Sequence, residues 1–269
     1  MTNLDSRFAG SIPEIYDRYL GPVIFQPYAD ALAARVNNSR PSSVLETAAG
    51  TGILTRAMLQ VLPETIGIIA TDLNQPMLDY AAKNTPFSRA TWRQADAMAL
   101  PFEDESFDIV VCQFGVMFFP DKPAAYREAR RVLRAGGRFL FDVWGSIENN
   151  DFADVITNAV AQLFPNNPPD FFPRVPHGYC DEGLIRRHLK TAEFSEVSMQ
   201  IVQHTSRAAS ALQTAIGFCQ GTPLRNEIEA RDASRLTEAT EAAAAALGHR
   251  FGNGPIAGKL QALVMEAVK

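Results

Sequence analysis

The chain has 269 residues, 46% hydrophobic and 20% charged, with a formal net charge of −5. That length suits one large α/β domain or two small ones, and the acidic balance without a Lys/Arg run argues against nucleic acid and anionic membrane surfaces as partners. No apolar stretch of about 18 residues is present, the first ten residues carry no leader pattern, and the three cysteines and four histidines show no metal or redox spacing, so membrane insertion and a metal are not expected and a reducing cytoplasm is.

From Ser43 the pattern becomes regular. Val44-Leu45 opens a short buried strand and Ile53 to Leu62 reads as a helix. Thr65 to Thr71, β-branched and apolar, is a second strand. Asn74 is placed to cap a helix through Met77, Leu78 and Ala81. Ala90 to Ala95 and Phe107 to Cys112 are the third and fourth strands. Asp121 with Pro123 begins a helix that runs to Leu133; Gly136-Gly137 stops it, and Arg138 to Trp144 is the fifth strand. Strands alternating with helices imply a parallel sheet with right-handed crossovers.

Beyond Trp144 the rhythm breaks. Asp151 to Phe164 is helical, and the segment "FPNNPPDFFPRVPHGYC" is too rich in Pro for regular structure. Asp181 to Thr191 is a helix, Val197 to Gln203 a sixth strand, and about 207 to 248 helices. "KLQALVMEAVK" reads as a helix or an edge strand; as a strand, Leu260 to Val268 would be the seventh, antiparallel one.

In an open α/β sheet, ligands bind beyond the carboxyl ends of the strands. Here those ends carry Glu46 with "TAAGTG", then Asp72, then Asp96-Ala97, then Cys112-Gln113-Phe114-Gly115. Small residues let the backbone approach a ligand, and the following helix offers free N–H groups. Singly, Glu46 reads equally as a surface acid and Asp72 as a cap; four such strand ends in order are harder to dismiss. The loop lacks the G-x-G-x-x-G spacing of dinucleotide folds, and no Gly-Lys-Ser/Thr follows it. Glu46 would repel a diphosphate and suits a cationic ligand.

These motifs resemble those of class I S-adenosylmethionine-dependent methyltransferases, of the small-molecule branch that includes the ubiquinone/menaquinone C-methyltransferases. "VLETAAGTG" resembles the acidic first motif and "IIATDLNQPML" the second. "QADAMALPFEDESFDIVVCQFGVMFFPD" and "REARRVLRAGGRFLFDVW" resemble those that follow. The likeness covers residues 12 to 145 and is weaker beyond. It implies S-adenosyl-L-methionine as cofactor. Glu46 would then meet the methionine ammonium, with Ala48, Gly50 and Gly52 close to the methionine and ribose. Asp72 would take the ribose hydroxyls, Leu73 and Met77 would flank the adenine, and Asp96 and Ala97 would bond it. Gln113 and Phe114 would shape the wall near the sulfonium, and Tyr16 or Tyr19 would cover the cofactor. Ala48 stands where the family often has Gly; alanine is expected to hold a negative φ there.

The resemblance also implies a lid built from the irregular segments, with Phe118, Trp144, Phe171, Phe172, His177 and Tyr179 toward a small apolar or aromatic acceptor. His177 is the candidate general base, against a purely structural histidine, and His204 is a second. The expected architecture is a single domain with a doubly wound, seven-stranded, mostly parallel sheet and an added helical lid. The core is about 40–145, 181–205 and 258–269; the lid is about 1–39, 146–180 and 206–257. The helices between the last two strands form a lid or a dimer surface, so a homodimer stays open. Two rivals remain: a nicotinamide oxidoreductase, and a non-catalytic protein that keeps the cofactor fold.

Overall fold

The computed structural model describes residues 5–85 and 89–269. Seven strands form one sheet: β1 (Val44–Glu46), β2 (Ile68–Asp72), β3 (Ala90–Gln94), β4 (Phe107–Gln113), β5 (Leu133–Trp144), β6 (Ser195–Ala208) and β7 (Ile256–Val268). Their spatial order is β3-β2-β1-β4-β5-β7-β6. β7 runs antiparallel to both neighbours, β5 and β6, and every other pairing is parallel. The strand order reverses between the parallel neighbours β1 and β4, where crossovers lead to opposite sides, and that opens a crevice beyond their carboxyl ends.

The helices are α1 (Ile12–Ile15), a π-helix (Tyr16–Phe25), α2 (Gln26–Asn38), α3 (Ile53–Val61), α4 (Gln75–Asn84), α5 (Lys122–Val132), α6 (Asp151–Leu163), α7 (Phe171–Arg174), α8 (Glu182–Thr191), α9 (Ala211–Gln220), α10 (Leu224–Asp232) and α11 (Leu236–Phe251). Asp121 caps α5 by accepting the Ala124 N–H at 2.9 Å. Alternate side chains of a strand point to opposite faces, and β5 uses both. Phe139 and Phe141 meet Tyr126 of α5, whereas Trp144 meets Tyr28 of α2. The sheet is thus covered on both sides by apolar side chains.

Several elements differ from the sequence expectation. α5 ends at Val132, and β5 begins at once with Leu133. The Gly136-Gly137 pair lies within β5, where its register against β4 shifts, so a bulge, not a helix stop, uses these glycines. The Pro-rich segment holds the single-turn α7. β6 and β7 are longer than expected because they pair with each other along nearly their whole length.

The π-helix was not legible in the sequence. In an α-helix of 3.6 residues per turn, nine residues span two and a half turns and put Tyr16 and Phe25 on opposite faces. A π-helix takes about one residue more per turn, so nine residues approach two full turns. The two rings stack, 4.6 Å between centroids.

Among the described residues no helix is long and apolar enough to cross a membrane, and no group of three or more His, Cys, Asp or Glu side chains could hold a metal ion. The outer elements are tied by Arg174. Its guanidinium holds both oxygens of the buried Asp5 at 2.8 Å, Asp170 at 2.9 Å and Glu227 at 2.5 Å. One side chain thereby joins the N-terminal segment, α7 and α10. Arg174→Leu is expected to lower stability by roughly 3 kcal/mol, the lower end for a buried pair because the guanidinium is partly solvated; urea denaturation measures it.

Candidate active site

Glu46 ends β1 and is 1% exposed. Thr55 Oγ1 donates to its Oε2 at 2.5 Å. Burial nevertheless drives the carboxyl up to about 8, against the opposing effects of Thr55 and Arg56. The loop that follows is pinned by Thr47 N–H to Val111 O (2.9 Å) and Ala49 N–H to Thr71 O (2.8 Å). It turns through three left-handed residues, Ala48 (φ +52°), Gly50 (φ +56°) and Gly52 (φ +81°). Ala48 therefore does not hold the negative φ expected of it. The turn imposes the geometry, and the alanine bears a strain of about 1–2 kcal/mol.

Asp72 ends β2, where burial is the main influence and raises its pKa. Its Oδ2 accepts from Gly50 N–H and its Oδ1 from Asn74 N–H, both at 2.8 Å. Oδ1 also takes the Asn74 Nδ2 amide at 3.4 Å; a carboxylate oxygen accepts about two hydrogen bonds, so Oδ2 retains capacity for a ligand hydroxyl. Asn74 stands at the start of α4 without capping it; its Oδ1 instead takes the Phe8 N–H at 3.3 Å.

These groups line one cleft with an empty space of about 1050 Å³. Glu46, Ala48, Gly50, Asp72, Leu73 and Met77 line it. Asp96, Ala97, Gln113, Phe114 and Tyr16 line it as well. Gly52 does not line it: a Cβ there would lie 2.7 Å from the Trp92 ring, so this glycine serves the close packing of α3 against β3 and the left-handed turn. Tyr19 is also elsewhere, its ring under the Arg18 guanidinium and its Cβ facing Gly217. Thr51 lines the cleft with a buried Oγ1 that has no hydrogen-bond partner among the described residues. A buried acid, an acid with spare lone pairs and an unpartnered hydroxyl fit an amino-acid nucleoside with an ammonium and a ribose.

A second cavity, with about 640 Å³ of empty space, adjoins the first. Phe8, Tyr16, Phe25, Phe114 and Phe118 line both, so a wall of five aromatic rings separates them. Trp144, Phe171, Phe172 and His177 line the second cavity. Tyr179 does not. Its hydroxyl is 2.8 Å from His188 Nδ1 and 3.3 Å from the Tyr126 hydroxyl, a network that docks α8 on α5. His204 lines neither space and packs edge-on against Tyr28, 4.7 Å between centroids.

The second cavity has few polar groups to offer. Ser206 donates to Val23 O and Thr222 to Phe218 O, both at 2.7 Å. Asn150 is satisfied by Ser146 O and the Gln261 N–H. Lys259 is mostly exposed. His177 Nδ1 lies 2.8 Å from Gly145 O, which only its protonated tautomer can bond, so the lone pair sits on Nε2. Burial lowers its pKa to about 4, and the ring is neutral above that. Phe8, Phe25, Phe152 and Phe218 are wall residues outside every motif; no periodicity marks them.

Residues 45–141 match the model of a methyltransferase domain family. A ubiquinone/menaquinone biosynthesis C-methyltransferase, UbiE of Escherichia coli, is 36% identical over 105 residues, 38% of this chain and 42% of that protein. The chain thus spans under half the length of the curated relatives it matches. Among solved structures, a Haemonchus contortus phosphoethanolamine N-methyltransferase 2 in complex with S-adenosyl-L-methionine superposes with a TM-score of 0.61 at 14% identity, over 100% of this chain and 60% of that one. A Thermotoga maritima S-adenosylmethionine-dependent methyltransferase does so with a TM-score of 0.58 at 15% identity, over 100% of both. The family match and the relative bear out the resemblance to methyltransferases over the matched core, and the solved structures share its fold.

Three expectations follow for cofactor affinity, measured by calorimetry with S-adenosylhomocysteine. Ala48→Gly relieves the left-handed strain, should gain up to about 1 kcal/mol in stability, and should bind within a few-fold of wild type. Asp72→Ala should weaken binding by roughly 2–3 kcal/mol; equal effects of the two changes would remove the role given to Asp72. An ammonium favours the ionised Glu46, so affinity should rise with pH up to about 8, with proton release on binding. Glu46→Gln should abolish that part of the pH dependence.

Proposed function

We propose that this chain carries a class I S-adenosylmethionine-dependent methyltransferase domain, a reading that the methyltransferase-family match over residues 45–141 supports, and that it transfers a methyl group to a small, uncharged, apolar or aromatic acceptor. The observation that carries the proposal is the pair of adjoining spaces with a shared aromatic wall, one bearing acids at strand ends and the other almost wholly apolar. The cofactor, when bound, supplies an electrophilic methyl on a sulfonium.

The chain's own contribution is binding, alignment and exclusion of water. Glu46 would pair with the ammonium, Asp72 with the ribose hydroxyls, and Asp96 and Ala97 with the adenine, flanked by Leu73 and Met77. The faces of Tyr16, Phe25 and Phe114 favour a nearby cation. Among the described residues the acceptor cavity has no carboxylate or guanidinium in its lining, and its one charged group, Lys259, is mostly exposed; burying an unpaired charge there would be costly, which supports a neutral acceptor. His177 would receive a hydrogen bond, or a proton if the acceptor must lose one, at Nε2. Its lowered pKa favours the hydrogen-bond acceptor role over a lasting hold on the proton. All three cysteines are free thiols, which agrees with a cytoplasmic setting.

Labelled S-adenosylmethionine with a panel of neutral aromatic and hydroxylated acceptors tests this reading. Transfer is expected, and His177→Gln should lower turnover of a hydroxylated acceptor about 100-fold with homocysteine-cofactor affinity unchanged. Thermal protection by NAD(H) and not by S-adenosylhomocysteine would sink the methyltransferase reading. Tight S-adenosylhomocysteine binding with no transfer to any acceptor would point to a non-catalytic binding protein.

A further inference from the structure

We propose that Asp142 is a positioning residue that holds Phe114, in a strained backbone conformation, as the dividing wall between the cofactor cleft and the acceptor cavity. The inference rests on the methyltransferase reading of those two spaces. Asp142 lies on β5 opposite Gln113 of β4. It is 0% exposed and lines neither space. Its Oδ1 accepts the Phe114 N–H at 2.8 Å.

Phe114 has φ +48°, a conformation an aromatic residue adopts only when its surroundings impose it. Three contacts do so. Asp142 fixes the direction of the N–H. Trp144, two residues beyond Asp142 on the same face of β5, stacks flat on the Phe114 ring, 3.6 Å between centroids and 6° between planes. Gly115 closes the turn against the cofactor loop: a Cβ there would lie 2.5 Å from Ala48 Cβ and 2.6 Å from Cys112 Sγ. The strained Phe114 and the strained Ala48 thus meet through Gly115, at the point where both spaces touch.

Asp142 does this as a neutral acid. Its Oδ2 is buried with no hydrogen-bond partner among the described residues, a setting that penalises a carboxylate. The titratable groups facing it are Tyr16 of the π-helix, Tyr28 of α2 and Cys112 of β4. All three are held neutral by burial, so no cation among the described residues steadies an ionised Asp142. Burial correspondingly pushes the Asp142 carboxyl up to about 8. Below that pH the carbonyl oxygen accepts from Phe114; above it, a buried unpaired charge appears beside the wall.

Trp92 and Trp144 are the only tryptophans of the chain, so a Trp92→Phe background isolates Trp144 emission. Three readouts test the proposal: that emission against pH, calorimetric affinity for S-adenosylhomocysteine, and affinity for the neutral aromatic probe N-phenyl-1-naphthylamine. The expected emission midpoint is near pH 8 and disappears with Asp142→Asn. At pH 7 Asp142→Asn should bind both ligands within threefold of the parent, since its amide oxygen still accepts from Phe114. Asp142→Leu, which removes that acceptor, should weaken probe binding at least tenfold. A midpoint that is absent from the parent or survives in Asp142→Asn overturns the proposal, as does an Asp142→Leu protein that binds the probe as the parent does. If Asp142→Leu fails to fold, the emission titration of the other pair decides. If S-adenosylhomocysteine binds none of the proteins, the methyltransferase reading fails, while the titration still decides the state of Asp142.

Discussion

Burial of carboxyl groups at one end of a parallel sheet is the constraint on which this structure turns. Glu46, Asp72 and Asp142 end or nearly end β1, β2 and β5, and none is more than 7% exposed. Taking a carboxylate out of water is costly unless hydrogen bonds or an opposite charge compensate it. Each acid meets that cost differently. Asp72 gathers the Gly50 and Asn74 N–H groups, Glu46 has the Thr55 hydroxyl, and Asp142 has the Phe114 N–H. Their pKa values rise to match. Glu46 is the acid that a cationic ligand would relieve, and it faces the cleft.

The loops that supply those N–H groups are bent to do so. Gly50 reaches Asp72 only through a turn whose preceding corner is the left-handed Ala48, and Phe114 reaches Asp142 only in a left-handed form. Strain at two non-glycine residues in contact through Gly115 is a local price met by the packing around it, and it concentrates where cofactor and acceptor would meet. The same geometry explains why Gly52, although part of the loop motif, turns its back on the cleft.

The second cavity depends on a different interaction, the stacking of aromatic rings drawn from distant parts of the chain. Tyr16 and Phe25 meet because their helix is wound with a wider turn. Phe114 meets Trp144 across neighbouring strands. Phe171 and Phe172 are brought in by a single helical turn whose Arg174 is bound to Asp5, Asp170 and Glu227. The result is a cavity whose polar side chains mostly bond within the protein, leaving His177 Nε2 as a fixed acceptor.

The sequence left the last segment open between a helix and an edge strand, and pairing with β5 and β6 decided it; by itself the sequence determined the alternation of strands and helices and the acids at the strand ends. Those features follow from backbone periodicity and from residues a few positions apart, which a linear reading detects. It identified Glu46, Asp72 and Asp96 because a strand end followed by a turn is a local event. It misplaced Tyr179, Gly52 and the φ of Ala48, and it missed Phe8, the π-helix and Asp142. Only the tertiary structure decided those, because each depends on groups distant in sequence. Tyr179 is claimed by Tyr126 and His188, Gly52 by Trp92, Asp142 by Phe114, and Phe8 by Asn74. Which side chain fills a cavity wall is set by what packs behind it, and that competition has no periodicity along the chain.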